Sequence, residues 1–158
     1  MPAVYLHSHR VVLAEIDRLG HANNLAYLKW MIDAALAHSA AQGWPGERYM
    51  QLGSGFIVRA HEIKYLRSAL EGDEIVVRTW VADMRRFSST RRYRIERSDG
   101  ELLATAATQW AFVEYAAQTL QRIPQEVSAA FEIVGDDAEG AVPSSDPRPP
   151  SESKPPSE

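Results

Sequence analysis

The sequence predicts an α+β fold in which a five-stranded antiparallel sheet wraps one long helix. Residues 24–42 carry apolar side chains at helical spacing, with Tyr27, Leu28, Met31, Ala34 and Ala35 on one stripe. Four runs rich in strand-forming residues follow, at 56–65, 74–84, 88–97 and 102–115. Their connectors carry turn chemistry such as Glu71-Gly72-Asp73 and Ser98-Asp99-Gly100. Consecutive strands joined in this way imply an antiparallel meander, not βαβ crossovers.

Composition bounds the function classes. The chain has 158 residues, enough for one domain with a genuine core. A net charge of −4 supplies no global basic field for nucleic acid or a membrane surface. With no cysteine, thiol nucleophiles, disulfides and thiolate-held zinc are excluded. The N-terminus lacks the apolar core of a signal peptide and no run reaches membrane-spanning length, so a cytoplasmic protein is expected.

Along the chain, residues 4–15 read as a first strand, with Val4, Leu6, Val11, Val12 and Leu13 supplying the propensity. His7 and His9 share one face of it, but no third donor with ligand spacing accompanies them, so neither a metal nor a cofactor is expected. Asn23 or Asn24 is the expected helix cap, because a side-chain oxygen there accepts an unpaired first-turn amide. The alanines let a curved sheet approach closely, and Lys29 and Asp33 pair on the exposed strip. So apolar a circumference predicts a helix wrapped on most sides. Gly43, Pro45 and Gly46 stop the helix, and GERYMQLGSG reads as a loop with at most one helical turn. Pro124 opens a short last helix. Six of the nine prolines lie between Pro143 and Pro156, mixed with serine and charge. Residues 1–134 are therefore the domain and 135–158 a disordered tail, whose burial cannot offset its ordering entropy.

The chemistry concentrates in EIDRLGHANNLAYLKW, residues 15–30. Asp17 precedes a turn through Gly20 and His21, and the helix then begins. Free amides at a helix N-terminus hold an oxyanion, and the same field keeps a nearby carboxylate ionised. A base or nucleophile beside an oxyanion holder is what acyl ester hydrolysis requires. Gly53-Ser54-Gly55 is not a nucleophile elbow.

The segment DRLGHANNLAYLKW resembles the signature of the hot-dog-fold acyl thioesterases, the 4-hydroxybenzoyl-CoA thioesterase-like family. Asp17, Gly20, His21, Asn23, Asn24, Tyr27, Leu28 and Trp30 fall in register with it, and the resemblance extends over roughly residues 5–131. It implies a hot-dog fold and hydrolysis of an acyl-CoA. Asp17 would act as nucleophile or general base, the amide at Asn24 as oxyanion holder, and His21 as an orienting group. Asn23, Tyr27, Trp30 and Ser88 are the implied substrate contacts, Ser88 and Ser89 starting the fourth strand. Coenzyme A phosphates call for basic residues, and the chain offers Arg59 and Lys64 on one strand and Arg85, Arg86, Arg91 and Arg92 around the next hairpin. The related acyl-carrier-protein thioesterases carry an Asn where this chain has Leu19, and an acidic or Cys residue on a later strand, where only Asp83 is available. An Asp-centred site is therefore expected, with acyl carrier protein as the alternative carrier. A hydratase acting on enoyl thioesters would need a differently spaced Asp–His pair. A non-catalytic acyl-CoA binder is the alternative of a different class. The family also implies a homodimer or homotetramer, with sheets joined edge to edge and sites between subunits.

Overall fold

A computed structural model describes residues 3–135; residues 136–158, nearly all of the expected tail, lie outside the described residues. The order is β1 (Val4–Arg10), a 3-10 turn (Leu13–Glu15), α1 (Asn24–Ala41), α2 (Gly46–Leu52), β2 (Ser54–Tyr65), β3 (Glu74–Met84), β4 (Ser88–Arg97), β5 (Leu102–Glu114), β6 (Thr119–Leu120) and α3 (Gln125–Ser128). The strands form one antiparallel sheet in the order β1-β3-β4-β5-β2, with the two-residue β6 paired to β5. α1 packs over β1 and β3, and α2 over β2. This is the hot-dog arrangement that the motif implies. No helix among the described residues is long and apolar enough to cross a membrane.

The meander holds only for β3, β4 and β5. β2 pairs along its length with β5, and β1 with β3, so the first two strands become the opposite edges of the sheet. The reason lies in the connections. α1 and α2 separate β1 from β2, and the connector 66–73 then carries the chain from one edge to the other, where its apparent tight turn belongs to a longer crossing.

Two other expectations change. The first strand ends at Arg10, not at residue 15, because the Glu15 carboxylate turns back to accept the Val12 amide at 3.0 Å and winds Leu13–Glu15 into the 3-10 turn. The GERYMQL stretch is a two-turn helix. It begins after Pro45 and ends at Gly53, whose φ of 77° is the left-handed conformation that closes a helix cheaply only with glycine.

α1 buries one stripe, Ala26, Tyr27, Trp30, Met31, Ala34, Ala35 and His38, so it is not wrapped on most sides. Its N-terminal half packs on Ile75, Val77, Tyr93, Ile95 and Leu103 of the sheet. A second cluster joins Trp44 and Tyr49 to Val81, Phe112, Ile123, Val127 and Phe131. Leu25 and Leu36 stand 74% and 56% exposed on the same helix. β2 is equally open: residues 57–62 are exposed on both faces, although a strand packed on one face would alternate.

Candidate active site

Asp17 sits in a short hairpin between the 3-10 turn and α1. Ile16 bridges to Ala22, and the Asp17 amide donates to the His21 carbonyl at 2.8 Å. The Asp17 carboxylate lies at the surface. Its Oδ1 accepts the amides of Leu19 at 2.8 Å and His21 at 3.3 Å, which fixes its direction and stabilises the turn. His21 contributes this amide and its carbonyl, while the residue itself is exposed. The hairpin also carries Leu19, which is 79% exposed.

The helix start is built tightly. Asn23 caps it, its Oδ1 accepting the Ala26 amide at 2.9 Å while its Nδ2 donates to the Glu15 carbonyl at 3.0 Å. The side chain expected to touch substrate is thus engaged within the fold. Asn24 is the first helical residue and is exposed; its amide and that of Leu25 have no acceptor within the helix. Its carbonyl receives the Tyr65 hydroxyl at 3.4 Å.

Tyr27 and Trp30 point into the core. The Tyr27 hydroxyl accepts the Ala69 amide at 3.0 Å and donates to the Arg67 carbonyl at 3.4 Å, tying the connector after β2 to α1. Trp30 is almost fully buried and donates to Glu15 Oε2 at 2.7 Å. Glu15 Oε1 also meets His9 Nε2 at 2.7 Å. The one sequence signal for this Glu15–His9–Trp30 cluster is the pairing of Glu15 with Asp17 in one acidic stretch.

Burial pushes the Glu15 pKa up, but the hydrogen bonds from His9, the Val12 amide and Trp30 together prevail and hold it below its ordinary 4.5. With the folded value below the unfolded one, the unfolded chain takes up the proton first on acidification. Glu15 therefore adds stability above about pH 4.5, lost as pH falls through the folded value. Replacing Glu15 by Gln should cost about 1–3 kcal/mol at neutral pH. Denaturation across a pH series should show that deficit narrowing below about pH 4.5.

The basic residues separate into two environments. Arg59 is the extra residue of a bulge on the free edge of β2, and Lys64 is exposed further along it. Arg85 and Arg86 are exposed in the β3–β4 turn, the first 3.8 Å from Asp83 and the second over the Phe87 ring. Asp83 is occupied structurally, accepting the Thr90 amide at 2.9 Å. Ser88 is half-buried at the start of β4, and Ser89 is buried with its hydroxyl donating to the Asp83 carbonyl. Arg91 departs from the surface role expected for it. Strand alternation turns Ser89, Arg91, Tyr93 and Ile95 inward, leaving Arg91 6% exposed and out of reach of a surface phosphate.

Arg91 instead faces a half-open cavity of about 170 Å³ between α1, α2 and the sheet. Neither Asp17 nor any other residue of the hairpin lines it. Among the described residues no cluster of His, Asp and Glu has metal-binding geometry.

Comparison with solved structures returns the same fold. The chain superposes on a provisional oleoyl thioesterase from Lactobacillus plantarum with a TM-score of 0.78 and 22% identity, covering 84% of this chain and 52% of that one. It thus spans about half the length of that protein. A 1,4-dihydroxy-2-naphthoyl-CoA thioesterase from Synechocystis aligns with a TM-score of 0.75 and 18% identity, over 80% of this chain and 94% of that one. A Staphylococcus aureus protein solved in complex with CoA gives 0.76 and 16%, over 80% of each chain. No curated protein matches. The thioesterase-like superfamily model matches residues 11–131, most of the chain and all of the elements described above except β1. The chain belongs to the thioesterase-like superfamily.

Proposed function

We propose that the protein hydrolyses acyl thioesters of coenzyme A to the free acid and CoA, with Asp17 as the reacting carboxylate. The observation that carries this reading is the placement of Asp17. It is a carboxylate oriented by the Leu19 and His21 amides, in the hairpin that leads into a helix whose first amides are open. Family membership and neighbours described as CoA thioesterases support the same chemistry.

Two routes use these parts. As a general base, Asp17 takes a proton from water while the water oxygen bonds to the thioester carbon. As a nucleophile, its oxygen forms that bond, and water later splits the resulting anhydride. In both, the carbonyl oxygen gathers charge at the Asn24 and Leu25 amides, the C–S bond breaks, and CoA leaves as a thiolate. A thiolate leaves without help from a strong acid, consistent with a hairpin whose titratable groups are few. Arg59, Arg85 and Arg86 are the exposed arginines suited to CoA phosphates. A second copy of the chain completes the site. The support is the open edge of β2 together with the bare Leu19, two residues from Asp17, and the bare Leu25 in the first turn of α1.

The test is thiol release from a panel of acyl-CoA chain lengths, with an enoyl-CoA monitored for loss of its double bond. Thiol release with the double bond untouched is expected. Saturable binding of acyl-CoA with no thiol release would replace the enzyme by a binding protein.

A further inference from the structure

We propose that this half-open cavity is a carboxylate-binding pocket in which the Arg91 guanidinium holds the anion. The argument begins with an uncompensated charge. Arg91 Nη1 donates to His38 Nδ1 at 2.9 Å and to the Thr79 hydroxyl at 3.1 Å. Neither acceptor is a carboxylate. A guanidinium only donates, so His38 accepts at Nδ1, and Thr79 in turn donates to the Arg92 carbonyl. No carboxylate among the described residues lies within ion-pair distance of Arg91. A guanidinium has five N–H groups, and the hydrogen bonds that Arg91 makes to described side chains are both on Nη1, which leaves Nε and Nη2 free to donate to a ligand.

The neighbouring hydroxyls do not supply the missing charge. Among the described residues Tyr49 and Tyr93 are the titratable hydroxyls felt by Arg91, and burial raises the pKa of both, keeping them neutral phenols. Burial likewise pushes Arg91 down from its ordinary value, the mark of a cation short of a partner. The last turn of α1, which contains His38, offers only the partial negative charge of a helix C-terminus. Buried cations are normally paired with an anion, and here the pairing is left for a ligand.

The cavity suits an anion attached to an apolar body. Its walls are mainly Ala35, Leu36, Phe56, Val81, Met84 and Phe131, with Arg91 as the charged group. Of the other polar side chains on the wall, the Trp110 Nε1–H has no hydrogen-bond partner among the described residues, whereas the two serines and Tyr49 are turned to the protein. Ser39 donates to the Trp44 carbonyl and Ser89 to that of Asp83, so Tyr49 donates to Ser39. Tyr115 closes one side, its hydroxyl resting where a Cβ on Gly55 would stand 1.9 Å away. That tyrosine position exists because residue 55 is glycine. A dry cavity of about 150 Å³ is known to accept benzene, so the volume here fits one ring or a short branched chain. The ligand class is a small aromatic or aliphatic carboxylate bound by the guanidinium fork. Its source is a free acid, or the far end of an acyl chain whose other end is the thioester; only that second source rests on the proposed hydrolase activity.

Isothermal titration of the full chain with benzoate and with its neutral isostere benzamide tests the pocket. Benzoate should bind at least about ten-fold more tightly than benzamide, and Arg91→Met should remove that advantage. Leu36→Trp, at an exposed wall position, leaves the guanidinium intact and should weaken benzoate to a similar degree; it decides the matter if Arg91→Met fails to fold. Equal affinity for the two probes, no binding of either, or wild-type benzoate affinity in the variants overturns the proposal. Turnover of glutaryl-CoA against pentanoyl-CoA then identifies the source. A preference for glutaryl that disappears in Arg91→Met assigns the carboxylate to the acyl chain end. Benzoate selectivity without such a preference assigns it to a free acid. Absence of turnover on every thioester would remove the proposed hydrolase and leave the benzoate result standing.

Discussion

Asp17→Asn should lower thioester hydrolysis by roughly 10² or more while the melting temperature stays within experimental error of the parent. The substitution is unusually clean at this position. The Asp17 Oδ1 accepts two backbone amides, from Leu19 and His21, and an amide oxygen accepts both equally well in kind. The turn is kept, and with it the hairpin that leads into α1. What is lost is the ionised oxygen that attacks the thioester carbon or takes a proton from water. Asp17→Ala removes the acceptor of the two turn amides together with the charge and should add a stability loss of about 1 kcal/mol to the same catalytic defect. Steady-state thiol release and thermal denaturation on the two variants separate these contributions. Full turnover in Asp17→Asn would leave Asp17 as a turn-forming residue and nothing more.

The parts of the fold that could be read in the sequence are those fixed by local chemistry. β3 and β4 begin and end where turn residues flank them, and Asn23 caps α1 because its side chain is the right length to reach a first-turn amide. The parts that could not be read depend on distant contacts. The sheet order rests on the crossing of residues 66–73, which no local signal encodes. The strand propensity of Val12 and Leu13 loses to a single carboxylate, that of Glu15, folding back on its own chain. In the site, the hairpin and helix start are legible as a motif, but the direction taken by individual side chains is not. Trp30 follows the helical stripe into the core, as its spacing allows, and finds a half-buried acceptor fifteen residues earlier. Arg91 is the instructive case: its alternation with Ser89, Tyr93 and Ile95 already indicated an inward side chain, while its charge indicated the surface. Alternation prevailed because the strand is flanked on both sides by partners that fix its pleat.

The proposed shared site makes the free edge of β2 as consequential for activity as Asp17. Replacing Ile57 and Val58 together by Glu should yield a monomer by light scattering and lower hydrolysis by roughly 10² or more. The two residues are 37% and 39% exposed in the single chain, so their replacement removes little of the core and should leave the monomer folded. Their exposure is on a strand of twelve residues whose other side is fully paired to β5, while β1 at the opposite edge has seven. A long unpaired edge with apolar side chains on both faces is an aggregation hazard unless a partner covers it, and a second copy of the same strand is the self-complementary cover that two-fold symmetry provides. Like charges brought together across that axis oppose the pairing at short range. Asp17 itself is untouched by these substitutions, so a loss of turnover in a folded monomer would locate the missing part of the site in the partner. A monomeric parent, or a monomeric variant with full turnover, would return the whole catalytic apparatus to one chain and leave the exposed leucines beside Asp17 to be covered by the acyl group itself.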